Sequence, residues 1–215
     1  MSTHFADKLV LAPWALKQLG IDEFDRLSEM LRAPEFEGWA EDGGSKFVQQ
    51  LVARLPKPAQ GRSVSDDQLR EYDTNVVGHW KHITQKRNLQ GQTLYPLYFQ
   101  YLGLLLIELY LDRYFRDPEA LLASLNQAVE AFNQEQDKRS QLERFVGPDL
   151  NKVAFWMATG SGKTLLMHCH IRQYLDYMGK AGKRQDVNRI ILLTPNEGLS
   201  RQHKEEFELS GVEAE

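Results

Sequence analysis

Apolar residues recur at helical spacing through the first two thirds of the chain. This pattern predicts helices over residues 9–32 (interrupted near Gly20), 45–55, 65–86, 93–115 and 117–136. Ser65 followed by two aspartates is typical of a helix start, as is Pro118 directly after Asp117. We therefore expect residues 1–150 to form an α-helical amino-terminal region.

The pattern changes after residue 150. Two short apolar runs, residues 153–157 and 189–193, are each followed by a turn and a stretch of helical spacing, residues 163–178 and 197–209. Strand and helix alternate in this way in parallel sheets with crossover helices. The predicted fold class is therefore α/β, in which residues 151–215 supply the first part of a P-loop parallel sheet behind the helical region.

Composition narrows the class of protein. Hydrophobic residues make up 42% of the chain and charged residues 26%, which predicts a packed core. The net charge of -4 argues against a protein that coats nucleic acid, although a local basic groove stays compatible with it. Cys169 is the single cysteine of the sequence, so no intrachain disulfide forms and a reducing, cytoplasmic location is expected.

The most apolar stretch is residues 94–111. It contains Gln100 and Glu108, whereas a membrane span requires about 20 apolar residues with few or no charges. We interpret this stretch as a buried helix of a globular domain and expect no membrane partner.

Residues 157–164, Met-Ala-Thr-Gly-Ser-Gly-Lys-Thr, have the pattern of a Walker A phosphate-binding loop, with methionine in place of the usual first glycine. Glycines let the backbone turn tightly, so that N–H groups cradle phosphate oxygens at the start of a helix. Lys163 would supply a positive charge to the β- and γ-phosphates, and the Thr164 hydroxyl would bind Mg²⁺. The candidate ATP-binding residues are Thr159, Gly160, Ser161, Gly162, Lys163 and Thr164.

The same loop resembles that of superfamily 2 DEAD/DEAH-box-like helicases and translocases, in the variant of type I and type III restriction-enzyme motor subunits. Residues 191–196, Ile-Leu-Leu-Thr-Pro-Asn, followed by Leu199 and Gln202, are similar to the family's motif Ia. The resemblance covers residues 152–210. It implies a RecA-like ATPase domain that uses ATP and Mg²⁺ to move on DNA or RNA, with possible nuclease or modification subunits. It also implies that nucleic-acid backbone is bound by Thr194, Pro195, Asn196 and Gln202.

The water-activating Asp-Glu pair of the family does not follow Gly162 in this sequence. We therefore assign no catalytic residue. We expect residues 151–215 to be an incomplete RecA-like domain, and the chain to be the amino-terminal portion of a motor that is inactive alone. The main alternative function is a non-catalytic nucleotide-binding or partner-interaction module. A small-molecule kinase is a weaker alternative, because the Thr-Pro strand end followed by Leu-x-x-Gln favours a motor over a kinase.

Three other groups of residues have competing interpretations. Gln100 is a candidate for the adenine-reading glutamine that many family members carry upstream of the loop, but we favour a polar residue of the helix core. His168 and His170 flank Cys169, a spacing that suits no common metal site. The aromatic residues between positions 95 and 115 have helical spacing, which favours a core over a base-stacking platform.

Overall fold

A computed structural model describes residues 9–91 and 93–213. Its α-helices are α1 (Leu11–Gln18), α2 (Phe24–Leu31), α3 (Lys46–Arg54), α4 (Asp66–Asn88), α5 (Tyr98–Arg116), α6 (Pro118–Gln134), α7 (Lys163–Lys180) and α8 (Glu197–Leu209). All of the predicted helices are present, and most of their ends lie within three residues of the expected positions. The largest difference is at α5, which begins after an extended segment that the pattern had included in the helix.

Local chemistry sets the helix starts. At α4, Ser65 Oγ accepts a hydrogen bond from the Gln68 backbone N–H at 3.1 Å, and Gln68 Oε1 accepts from the Ser65 N–H at 3.0 Å. This reciprocal pair satisfies two backbone donors that a helix start leaves without partners. Asp117 caps α6 in a similar manner, by accepting from the Ala120 N–H at 2.9 Å. Gly20, at φ +72°, separates α1 from α2 as predicted.

The core is built around α5. This helix packs against α4 and α7, while α6 and α1 cover its other flank and α8 packs against α4 and α7. Its fully buried residues include Tyr101, Leu102, Leu104, Leu105 and Leu109. Each such leucine stabilises the fold by roughly 1.5–3 kcal/mol relative to an exposed position. The most apolar stretch of the sequence is thus the centre of a globular core. No helix among residues 9–91 and 93–213 has the length and apolarity needed to cross a membrane.

The predicted α/β fold class is wrong: the described part of the chain is all-helical and contains no strand and no sheet. Residues 153–157 and 189–193 are apolar, as a buried strand requires, but no backbone hydrogen bond joins them within the described residues. Residues of both runs line a groove of about 770 Å³, together with residues of α7. A strand satisfies its backbone groups only through a neighbouring strand about 4.8 Å away, and these two runs form no such pair with each other. We name this space the strand groove.

Candidate nucleotide-binding site

The phosphate loop turns at two glycines. Gly160 has φ +79° and Gly162 has φ +82°, in the left-handed region that glycine adopts without steric cost. Helix α7 begins directly afterwards, at Lys163, and no side chain in the described part of the chain caps its first turn. The first N–H groups of a helix have no partner within it and carry a partial positive charge. The loop therefore presents free backbone donors and a positive helix end at one place, which fits an anionic oxygen group.

Lys163 lies over the loop that precedes it. Its ammonium group donates hydrogen bonds to the backbone carbonyls of Met157, at 3.2 Å, and Ala158, at 2.9 Å. Both acceptors are neutral, and the Lys163 side chain is exposed. Its ammonium group can therefore move to a phosphate without breaking an ion pair. The Ser161 hydroxyl is buried and has no hydrogen-bond partner among the described residues, which leaves a further polar group available in the loop. Thr159 is exposed and Thr164 is half-buried at the first turn of α7.

Gln100 joins the phosphate loop to the helical region. It lies in the first turn of α5 and is 8% exposed. Its side-chain Nε2 donates to the Ser161 backbone carbonyl at 2.8 Å, while its Oε1 accepts from the Leu97 backbone N–H at 2.9 Å. The two partners fix the orientation of the amide, because only the oxygen can accept and only the nitrogen can donate. Gln100 is therefore both a polar residue of the helix core, as we favoured, and a direct contact of the loop.

A buried carboxylate holds α7 against the bundle. Glu108 of α5 is fully buried and accepts hydrogen bonds from Gln173 Nε2 at 2.7 Å, Tyr177 Oη at 2.9 Å and Asn75 Nδ2 at 3.0 Å. Burial raises the pKa of Glu108, and these three donors partly oppose that rise. The sequence did not reveal this network, since its four members come from three helices. It positions the helix from which the phosphate loop extends.

Burial favours the uncharged forms of three adjacent residues of α7, His168, Cys169 and His170. Burial raises the pKa of the Cys169 thiol and lowers the pKa of both His168 and His170 to about 4. His168 shares a hydrogen bond with Ser210 Oγ at 2.7 Å, and the His170 ring stacks on Phe155. Among the described residues, no group of three or more His, Cys, Asp or Glu side chains could hold a metal ion. The roles of these residues in the structure are those of packing and hydrogen bonding.

The candidate nucleic-acid residues lie around the start of α8. Asn196 caps this helix by accepting from the Leu199 N–H at 2.9 Å, and the Thr194 hydroxyl donates to the Asn196 carbonyl at 3.2 Å. Thr194 also shares a hydrogen bond with Ser200 Oγ. Pro195 lies exposed between the two, and Gln202 is exposed further along the helix. The structure thus brings Thr194, Pro195 and Asn196 together as one ordered turn.

The opposite end of α8 is fixed to the bundle. Arg87 of α4 forms an ion pair with Glu206 and donates to Ser210 Oγ at 2.9 Å. The same Ser210 hydroxyl lies against His168 of α7. Helix α8 is therefore bound at its carboxyl end to both α4 and α7, and the turn at Thr194 projects from its other end.

Comparison with known proteins gives one family. Residues 120–215 match the family described as type III restriction enzyme, res subunit. This match includes the phosphate loop and the turn at Thr194, and it supports a helicase-like restriction-enzyme motor domain, as the sequence resemblance predicted. No curated protein and no solved structure matches the chain.

Proposed function

Since residues 120–215 match the type III restriction enzyme res-subunit family, a helicase-like, ATP-binding group, we propose that this chain binds ATP with Mg²⁺ through residues 159–164. The observation that carries the proposal is the phosphate loop itself. Its glycines adopt the left-handed backbone that such a loop requires, and an uncapped helix start follows it. A cradle of free N–H groups beside a lysine that is bound only to carbonyls fits a polyphosphate better than any neutral ligand.

Within this proposal each loop residue has a role. Gly160 and Gly162 allow close approach of the backbone, and Ser161 and Thr159 supply further donors. Lys163 moves from the carbonyls of Met157 and Ala158 to the phosphates, and Thr164 holds Mg²⁺ with its hydroxyl. Residues 151–215 act as the nucleotide-binding unit, and residues 1–150 act as the support to which α7 is fixed through Glu108.

We further propose that the nucleotide site serves movement on DNA or RNA, with nuclease or modification subunits as partners, in the cytoplasm. The family suggests interaction with DNA. The turn formed by Thr194, Pro195 and Asn196, together with Gln202, is the proposed contact with the nucleic-acid backbone. Such contacts are sequence-independent and weaken as salt rises. Crosslinking to DNA that leaves this turn unlabelled would contradict the assignment.

Hydrolysis is a separate matter from binding. The polypeptide of residues 1–215 has no Asp-Glu pair after Gly162 to position a water molecule. We therefore propose that this polypeptide binds ATP without turning it over, so a test of the site has to measure binding.

The test is titration of purified residues 1–215 with a fluorescent ATP analogue in the presence of Mg²⁺. We expect Lys163→Ala to weaken binding by roughly ten-fold to a hundred-fold, because a hydrogen bond to a charged group contributes about 1.5–3 kcal/mol. Lys180→Ala is the matched control, as this lysine lies at the other end of the same helix and pairs with Asp176. Equal affinity of the Lys163→Ala and wild-type proteins would contradict the proposal, as would the absence of binding to both.

A further inference from the structure

One peptide group of the phosphate loop is held from outside the loop. The Ser161 carbonyl accepts its hydrogen bond from Gln100, 61 positions earlier in the chain. The N–H of the same peptide group belongs to Gly162. In a trans peptide the C=O and the N–H point in opposite directions, so the bond to Gln100 also directs the Gly162 N–H. That N–H points away from α5 and takes part in no hydrogen bond of the described residues.

This peptide group needs such a restraint. Gly162 has φ +82° and no side chain, and a peptide group next to glycine can rotate to its reversed orientation more easily than elsewhere. Reversal would direct the Ser161 carbonyl, rather than the Gly162 N–H, to the side where an anion would bind. A carbonyl oxygen repels phosphate, whereas the N–H donates to it.

Gln100 is well placed to prevent the reversal. It is buried at the amino-terminal end of the central helix of the core, and its Oε1 is anchored on the Leu97 N–H. It also lies so close to Gly162 that a β-carbon at that position would collide with its Nε2. Its amide is held by a hydrogen bond at each end, to Leu97 and to Ser161.

We propose that Gln100 is a positioning residue, which fixes the Ser161–Gly162 peptide group so that the Gly162 N–H faces the phosphates of a bound nucleotide. The proposal rests on the proposed function, since it assigns a role within that ATP site. This role differs from adenine recognition. Gln100 would affect the binding of the phosphates through the loop and would make no contact with the base.

The variant that tests this role is Gln100→Glu. A glutamate keeps the size of the side chain and can still accept from the Leu97 N–H, but it cannot donate to the Ser161 carbonyl. Gln68→Glu is the matched control. Gln68 makes the same bond at the start of α4, to the Ser65 N–H, and has no contact with the loop.

The first measurement compares three ligands with Mg²⁺: ATP, GTP and inorganic tripolyphosphate. We expect Gln100→Glu to weaken all three by a similar factor of roughly ten, the value of one charge-assisted hydrogen bond, while Gln68→Glu changes none. Loss of affinity for ATP with unchanged tripolyphosphate binding would show base recognition instead and would overturn the proposal. Unchanged binding of all three ligands would also overturn it.

The second measurement needs no nucleotide. Only two serines of the sequence precede a glycine, Ser161 and Ser210, so labelling of serine carbonyls with ¹³C and glycine nitrogens with ¹⁵N gives two NMR correlations. We expect Gln100→Glu to shift the Ser161–Gly162 correlation and to leave the Ser210–Gly211 correlation in place. An unshifted Ser161–Gly162 signal would overturn the proposal. If the wild-type chain binds neither ATP nor tripolyphosphate, the proposed function is wrong. The role of Gln100 in phosphate binding is then wrong as well, even if the NMR shift shows the contact between Gln100 and the Ser161 carbonyl.

Discussion

The two glycines of the phosphate loop are required for different reasons. Both have positive φ, which costs other residues about 1–2 kcal/mol. Around Gly160 there is open space for a β-carbon, so backbone conformation is its only constraint. Gly162 carries a second constraint, because a β-carbon there would collide with Gln100.

We therefore expect Gly162→Ala to reduce nucleotide affinity more than Gly160→Ala. Either alanine is strained in the left-handed backbone conformation, but only the alanine at position 162 displaces Gln100 from the Ser161 carbonyl. The expected loss is several-fold for Gly160→Ala and at least ten-fold beyond that for Gly162→Ala, on the order of one lost hydrogen bond. Titration with the fluorescent ATP analogue measures both. Equal losses would mean that the contact with Gln100 adds nothing.

At this scale the sequence identifies the candidate loop but not the contact that supports it. The spacing of Gly160, Gly162 and Lys163 is local, so the pattern alone identifies them as candidate ligands. The contact between Gln100 and Ser161 depends on how two distant segments pack, and no local pattern encodes it. For Gln100 the sequence favoured only a polar residue of the helix core.

Among the elements, α7 connects the candidate site to the core. Its first residue is the loop lysine, and its middle and end are held by Glu108 through Gln173 and Tyr177. No cation pairs with this carboxylate in the described residues. The attachment of the phosphate-loop helix is therefore sensitive to the charge on one buried group.

This arrangement predicts a pH dependence of stability. The pKa of Glu108 is raised in the fold, so the folded protein binds a proton that the unfolded chain has already released. The stability that comes from this proton is complete below the ordinary pKa of about 4.3 and is lost as the pH rises through the raised value. We expect the free energy of unfolding of the wild type, relative to Glu108→Gln, to fall as the pH rises from about 4.3 into the neutral range.

Urea unfolding of both proteins across that range provides the measurement. The lowered pKa values of His168 and His170 make the fold less stable on acidification, which is the opposite of the effect of Glu108. Both histidines are present in both proteins, so their contributions cancel in the difference between the two free energies of unfolding. A difference that is constant with pH would show that Glu108 does not titrate abnormally.

Helices and strands differ in how far the sequence can predict them. A helix satisfies its own backbone, so the cap at Ser65 and the apolar period that follows it are sufficient to place α4. A strand satisfies its backbone only through a neighbour. Residues 153–157 and 189–193 have the apolar composition of strands, but a pattern within one segment carries no information on whether a partner lies beside it.

For the whole molecule, the consequence is an apolar surface at the strand groove. Ile191 is 76% exposed and Leu193 is 87% exposed, and both Ile191 and Phe155 line the groove. The two runs also form no backbone hydrogen bond with each other in the described part of the chain. Exposed extended edges with apolar side chains are the features through which chains associate.

We expect the polypeptide of residues 1–215 to self-associate as its concentration rises. Replacing Ile191 and Leu193 together by lysine should reduce this association without lowering the thermal midpoint of unfolding, since both side chains are exposed. Leu89→Lys is the control, because Leu89 is 83% exposed at the end of α4, away from the groove. Sedimentation velocity at several concentrations measures the effect. Unchanged association of the double variant would show that the chains associate through a different surface.

The burial of Cys169 has a consequence for chemistry in solution. It is the single thiol of the sequence, it has no exposed surface, and it lies on α7 within the core of the bundle. An alkylating reagent can reach it only after α7 has separated from its neighbours, so the rate of modification is set by that opening. A ligand that binds only the docked form of α7 lengthens the waiting time by the factor 1 + [L]/Kd. The rate of Cys169 alkylation thus reports how often the phosphate-loop helix separates from the bundle, and this rate falls when a ligand occupies the loop.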